Sequence, residues 1–204
     1  MTIWQAAVKR AIDIAVSSIA LVLFSPLMAL IAIAIHLDSL GSVLFRQARL
    51  ARGGAGFTLY KFRTMIAGAP DIRNDDGSTF NSPADARVTR VGRLLRRTSL
   101  DELPQLFNVL IGEMSLVGPR PDQVDQARFY GHAEWGRSVV KPGITGLAQI
   151  RGRNAIPWTK RTQLDLEYVA NQSVLLDLKI LWQTIPYVLT NQDIYINEVS
   201  EEVR

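Results

Sequence analysis

Thr98-Ser99-Leu100-Asp101-Glu102-Leu103-Pro104-Gln105-Leu106 sets two adjacent carboxylates directly after an arginine cluster and directly before an apolar helical pattern. Leu103, Leu106, Phe107 and Leu110 recur at i, i+3, i+4 and i+7, the spacing of one buried helix face. A helix is therefore expected to begin near 101. With Asp101 as N-cap, Pro104 falls at N3, where its missing N–H has no intrahelical partner. With Ser99 as N-cap, Ser99 and Glu102 form a capping box, but Pro104 lies one turn deeper and a bond is lost. As bare caps the carboxylates need no further account. At a helix N-terminus beside Arg96 and Arg97, however, a carboxylate is expected to be held ionised and to suit a nucleophile or metal ligand. The same N–H groups and arginines suit phosphate.

The 204 residues are enough for one domain with a real core, or for a smaller domain plus an appendage. Cysteine is absent, which excludes a disulfide framework, a thiolate metal site and a cysteine nucleophile. His36 and His132 are too few and too far apart to suggest a zinc site. Net charge is only +4, yet the basic residues cluster, with Arg46, Arg49, Arg52, Lys61 and Arg63 in one group and Arg87, Arg90, Arg93, Arg96 and Arg97 in another. Clustered arginine favours phosphate, on nucleic acid, lipid headgroup or nucleotide.

The stretch 14–35 carries no charge and is long enough to cross a bilayer as a straight helix. A signal peptide fits poorly, because the run is long, is interrupted by Ser25-Pro26 and leads to His36 and Asp38 rather than a small-residue cleavage site. A single span is the plain reading. Positive charge on both flanks, Lys9 and Arg10 before and Arg46, Arg49 and Arg52 after, instead favours the cytoplasmic side for both ends. Pro26 removes an internal hydrogen bond and bends the helix, and Ser25 can re-satisfy freed carbonyls. A bent, re-entrant helix fits both facts, with Asp13 expected at headgroup level.

From 42 to 62 the pattern is strand-like on either side of Gly53-Gly54, which predicts two short strands joined by a turn, with Lys61 and Arg63 on one face of the second. The polar stretch 68–86 reads as a loop whose acidity is solvation, since it lacks the regular spacing of a calcium loop. In 87–97 the arginines fall at helical spacing and lead directly to Asp101, so they are expected to form an anion site or to lie among lipid headgroups. Pro119-Arg120-Pro121 pins the backbone on both sides of one arginine. Residues 122–138 read as a partly amphipathic packing helix. In 141–154, three glycines permit close backbone approach, and Arg153 with Asn154 offers donors suited to phosphate and uracil-like edges, although the spacing matches neither a P-loop nor a dinucleotide fingerprint.

Tyr60-Lys61-Phe62-Arg63-Thr64-Met65, Ser99 to Leu106, Gly118-Pro119-Arg120-Pro121 and Lys141 to Asn154, in this order behind an apolar segment with Ser25-Pro26, resemble the bacterial sugar transferase family. Its small members are monotopic phosphoglycosyl transferases that start glycan assembly on a polyprenol carrier. The resemblance runs from about 5 to about 190 and implies a chain close to the minimal catalytic core. It implies that Asp101 is the nucleophile that attacks the sugar-side phosphate of a UDP-sugar, releasing UMP. Polyprenol (undecaprenyl) phosphate would then take the phospho-sugar from the enzyme. Glu102 would complete the dyad and, with Asp101, hold Mg2+. Arg96 and Arg153 match phosphate-contacting arginines, Arg120 the Pro-Arg-Pro arginine, Lys61 a basic position near the site and Asp165 an acidic one. Ser25 and Pro26 match the family's helix break.

The resulting expectation is an α/β fold, α-rich with short strands. A re-entrant membrane helix (1–40) precedes a catalytic domain (41–190) on the cytoplasmic face of a bacterial inner membrane, and a polar tail (191–204) follows. Short helix 163–170 is expected, and 174–189, with Trp182, Pro186 and Tyr187, suits either a membrane interface among phospholipids or a buried core. The tail reads as frayed or as a homodimer contact. A non-catalytic membrane-surface scaffold is the competing reading, but it leaves the dyad and the Pro-Arg-Pro triplet without a reason. A glycoside hydrolase needs carboxylates roughly 5–10 Å apart across a bond, which adjacent residues do not suit. Nucleic acid is not an expected partner, because aromatic residues do not interleave with the arginines.

Overall fold

The computed structural model describes residues 1–72, 80, 82, 84–152 and 156–189. Arg153, Asn154, most of the acidic loop and the tail 191–204 lie outside these residues. The chain is α/β and helix-rich with short strands, as expected, and the described residues form two small sheets.

Helix α1 runs from Ile3 to Asp38, started by a reciprocal capping box between Thr2 and Gln5. Helical structure continues through Ser25-Pro26. Pro26 cannot donate to the Val22 carbonyl, and the Ser25 hydroxyl donates to that oxygen instead at 2.8 Å. One stripe of α1, including Asp13, Ser17, Leu21, Met28, Ile31 and Ile35, packs on the rest of the chain. Ile19, Val22, Leu23, Leu30 and Ile33 are exposed on its other faces. By length and composition α1 is able to cross a membrane.

Both ends of α1 are fastened to the same body. Asp13, expected at headgroup level, is instead 4% exposed and accepts from Leu116 N at 3.0 Å and Ser115 Oγ at 3.1 Å. Lys9 donates to Val117 O (3.0 Å) and Asp177 Oδ2 (2.6 Å), and Arg10 donates to Val109 O (2.7 Å) and Leu110 O (2.8 Å). These flanking charges therefore satisfy the protein's own backbone rather than lipid. At the other end Asp38 accepts from Val91 N at 3.0 Å, and Arg63 donates to the carbonyls of Ser39 and Leu40, each at 2.6 Å.

Strands β1 (Leu44–Leu50) and β2 (Gly56–Phe62) pair antiparallel from Leu44↔Phe62 to Leu50↔Gly56, as the sequence predicts. Gly53 and Gly54, at φ 73° and 81°, make the turn. Helix α2 (Arg90–Thr98) is capped by Thr89, whose side chain accepts from Gly92 N, and stops at Ser99, which is left-handed at φ 56°. A single 3₁₀ turn, Leu100–Glu102, then carries the carboxylates before α3 (Gln105–Ile111). The helix expected near 101 thus starts at 105, and Ser99 caps neither it nor the turn with its side chain. Pro104 sits just before the first turn of α3, where its lost N–H costs nothing.

The buried face also differs from the one expected. Leu106 and Val109 are buried together with Gln105 and Asn108, whereas Phe107 is exposed and meets Tyr60 edge-on at 5.9 Å. Asn108, fully buried, donates to Thr58 O (2.7 Å) and Glu113 Oε2 (2.7 Å) and accepts from Tyr60 N (3.1 Å), which fixes α3 against β2.

Strands β3 (Ser115–Val117) and β4 (Gly143–Thr145) pair parallel. Their backbones cross so closely that a Cβ at Gly118 would lie 2.4 Å from Lys141 O, and one at Gly146 would lie 2.2 Å from Gly118 O. The glycines of the two motifs answer to each other. Residues 122–138 form a 3₁₀ segment (Val124–Phe129) and α4 (His132–Arg137), not one helix, because Tyr130 and Gly131 between them are extended. The short α5 (Leu147–Ile150), α6 (Trp158–Asn171) and α7 (Val174–Leu189) complete the fold, with α6 longer than expected at both ends. The main core joins Phe57, Val109, Met114, Leu164, Tyr168 and Ile180. A smaller one joins Ile31 and Ile35 of α1 to Phe62 and Leu95. On α7, buried Ile180 lies opposite an exposed apolar stripe of Leu175, Leu178, Trp182 and Ile185.

Asp13→Ala leaves the Leu116 N–H and the Ser115 hydroxyl buried without their acceptor. It is expected to lower stability by about 2–4 kcal/mol, read from thermal or denaturant unfolding in detergent micelles. A headgroup-level carboxylate would give almost no change.

Candidate active site

The site is built around one oxygen of Glu102. Lys61, at the end of β2, donates to Glu102 Oε1 at 2.8 Å, and Arg120 donates to the same oxygen at 2.9 Å. Asn108 holds β2 immediately before Lys61, and the α2–α3 connection delivers Glu102. Two cations from distant parts of the chain thus converge on one carboxylate.

Asp101 precedes Glu102 in the 3₁₀ turn and is half-buried. Burial pushes its carboxyl above the usual range; the charges of Lys61, Arg96 and Arg120 oppose this, and the negative charge of Glu102 adds to it. The helix N-terminus expected at Asp101 lies further on, since α3 starts at Gln105, and burial rather than the arginines sets the direction of the shift. Burial pushes the Lys61 ammonium down against the pull of Glu102. Glu102 in turn holds the Arg120 guanidinium above its ordinary value.

Arg96 is half-buried, donates from Nε to Thr64 Oγ1 at 2.9 Å and acts electrostatically on Asp101, whereas Arg97 is exposed. Lys61, Arg96 and Arg120 are therefore brought to the dyad. Arg153 lies outside the described residues. Arg63, on the strand face of Lys61, serves the end of α1 instead.

Asp165 does not join them. It is 1% exposed on α6 and pairs with Arg137 Nη2 at 2.5 Å. Arg137 also donates to Asp122 and, through Nη2, to the carbonyl of Arg120 at 3.0 Å, while Tyr130 donates its hydroxyl to Asp122. Trp158 lies beneath the guanidiniums of Arg137 (5.3 Å) and Arg161 (5.4 Å). Arg137, Asp122 and Tyr130 were not legible as site residues; the only signal was that Asp122 follows Pro-Arg-Pro.

No group of three or more His, Asp or Glu residues able to hold a metal exists among the described residues. Asp101 and Glu102 offer hard oxygen ligands at the site. That donor set fits an ion such as magnesium, which commonly takes one or two carboxylates and fills its shell with water and phosphate oxygens.

Residues 4–191 match the family model described as bacterial sugar transferase. The uncharacterized sugar transferase EpsL of Bacillus subtilis is 46% identical over 95% of this chain and 94% of its own length. A UDP-glucose:undecaprenyl-phosphate glucose-1-phosphate transferase of Klebsiella pneumoniae is 45% identical over 92% of this chain, which spans 41% of that protein. A UDP-N-acetylgalactosamine-undecaprenyl-phosphate N-acetylgalactosaminephosphotransferase of Aeromonas hydrophila is 43% identical over 90% of this chain and 44% of its own length.

Burial raises the Asp165 carboxyl to about 6, against the opposing charge of Arg137. Unfolded, it titrates near about 4. Between these values the folded chain binds the extra proton, so stability falls as pH rises from about 4 to about 6 and then levels, by on the order of 3 kcal/mol in all. Unfolding of wild type and Asp165→Asn across this window is expected to show that component of the slope only in wild type.

Proposed function

We propose that this chain, which belongs to the bacterial sugar transferase family, transfers a phospho-sugar from a UDP-sugar to undecaprenyl phosphate through a covalent intermediate on Asp101. An ionised Asp101 oxygen attacks the sugar-side phosphorus. The bond from that phosphorus to the bridging oxygen breaks, and UMP leaves with the bridging oxygen. A phosphate oxygen of the lipid acceptor then attacks the same phosphorus, the acyl–phosphate bond breaks, and the Asp101 carboxylate is restored beside polyprenyl-diphosphate-sugar. Splitting the transfer lets a water-soluble donor and a lipid acceptor use one site in turn.

The convergence of Lys61 and Arg120 on Glu102 Oε1, next to Asp101, carries this reading. The two cations are already oriented at the carboxylate pair, and a diphosphate arriving there finds positive charge that needs little reorganisation. Arg96 adds a third cation from α2. Asp101 and Glu102 would hold a magnesium ion, which when bound neutralises diphosphate charge. Adjacent carboxylates clamped in this way are not required by a scaffold.

The docking of both ends of α1 on one body supports a re-entrant helix, because a span would separate Lys9 and Asp13 from Asp38 by a bilayer. The exposed face of α1 and the stripe led by Trp182, 76% exposed, give the domain two apolar elements for one cytoplasmic-side leaflet. Lipid-facing placement brings the site to the acceptor.

The test is UMP release from a panel of UDP-sugars with undecaprenyl phosphate in detergent. One donor is expected to release UMP in a divalent-cation-dependent manner, Asp101→Asn to abolish release, and Lys61→Met to lower kcat about 10²–10³-fold. Release unchanged in Asp101→Asn would remove the covalent mechanism. No release from any donor by a folded, membrane-bound sample would shift weight to the scaffold.

A further inference from the structure

We propose that Arg137, anchored between Asp122 and Asp165, is the positioning residue that aims Arg120, and that Asp165 serves the reaction through Arg137 rather than through substrate. The inference rests on the reading of Arg120 as a donor-binding cation.

Proline fixes its own φ and confines the residue before it to extended backbone, but that region is tens of degrees wide, and within it the peptide plane that follows Arg120 can still tilt. That tilt decides where the Arg120 side chain leaves the loop. The flanks of the loop are fastened by other means. Gly118 N donates to Thr145 O at 2.9 Å, Gly143 N donates to Pro119 O at 2.8 Å, and Leu50 N donates to Asp122 O at 2.9 Å. In the centre, the Arg120 carbonyl accepts from Arg137 Nη2 at 3.0 Å.

Arg137 is itself 5% exposed, and its guanidinium is a rigid fork. Nη1 is committed to Asp122, two residues beyond Arg120, and Nη2 is shared between Asp165 and the Arg120 carbonyl. Trp158 supports the guanidinium from one side. With the Asp165 charge removed, Nη2 loses its anionic anchor, and Asp122 alone is left to orient the fork. Asp165 is almost without exposure and faces Arg137, so it lies behind the loop while Arg120 reaches forward to Glu102.

A double-mutant cycle separates this role from a direct substrate contact. With the donor that wild type uses, Asp165→Asn is expected to lower kcat/KM for UMP release by about 10- to 100-fold, the scale of a misaimed contact. In an Arg120→Ala background the same substitution is expected to change kcat/KM by less than about twofold. Arg137→Lys, which keeps a charge and fewer donors, is expected to retain more activity than Arg137→Met. Multiplicative losses in the double mutant would overturn the proposal. Amide hydrogen exchange across 118–123 supplies an arm that needs no catalysis, so the proposal stays testable even if wild type releases no UMP and the functional reading fails. Exchange at Gly118 and Gln123, whose N–H groups donate to Thr145 O and Gln126 Oε1 at the two ends of the loop, is expected to accelerate in Asp165→Asn while the β1–β2 hairpin stays protected; unchanged exchange in a folded variant would overturn the proposal.

Discussion

An apolar helix fastened at both ends to a single body is the constraint on which the rest depends. The fastening is polar and buried. Lys9 and Asp13 take the Val117 carbonyl and the Leu116 N–H, so the first turns of α1 are fixed to the backbone of β3. The next residues are Gly118-Pro119-Arg120. At the far end Asp38 accepts from an N–H in the first turn of α2, which leads to the dyad, and Arg63, two residues after Lys61, holds the carbonyls of Ser39 and Leu40 just past the helix. Each half of the site is therefore braced by one end of α1. Between the ends, Leu21 packs on the larger core and Met28 and Ile31 on the smaller, which joins the halves through apolar contact.

On the proposed mechanism, the chemistry depends on keeping cations close to the carboxylate pair. Glu102 offers one oxygen to Lys61 and Arg120, and burial makes each of these charges costly unless paired. Such a cluster is poised for a ligand that brings further negative charge with its own counter-ion. Asp101 sits beside it with a carboxyl pushed up by burial, which strengthens its basicity once ionised. On the proposed mechanism, a donor diphosphate draws the cations while Asp101 attacks.

Local pattern revealed the β1–β2 hairpin, because alternation and two adjacent glycines specify it, and α7, because its apolar run is long. The dyad, Lys61, Arg96 and Arg120 were legible because their motifs are contiguous. The start of α3 was not: apolar spacing ran back to Leu103, but the left-handed Ser99 and a 3₁₀ turn intervened, and the buried face was filled by Gln105 and Asn108, polar residues whose tertiary contacts no periodicity records. The roles of Asp13 and Arg137 were hidden for a related reason. Each is defined by a backbone group distant in the chain, 103 positions from Asp13 to Leu116 and 17 from Arg137 to Arg120. The family resemblance places Asp165 near the site as an acidic residue, yet its partner is Arg137, not the dyad.

The account stands most directly on the sidedness of α1. The sequence contains no cysteine, so single cysteines at Thr2 and at Ser42, just outside the two ends of the helix, report without background. Labelling with a membrane-impermeant maleimide, in intact spheroplasts and in inverted inner-membrane vesicles, is the measurement to make. The account predicts that both positions are protected in spheroplasts and both react in inverted vesicles. Reaction of one position in spheroplasts and the other only in inverted vesicles would mean a span, and would contradict the docking of both ends on one cytoplasmic body.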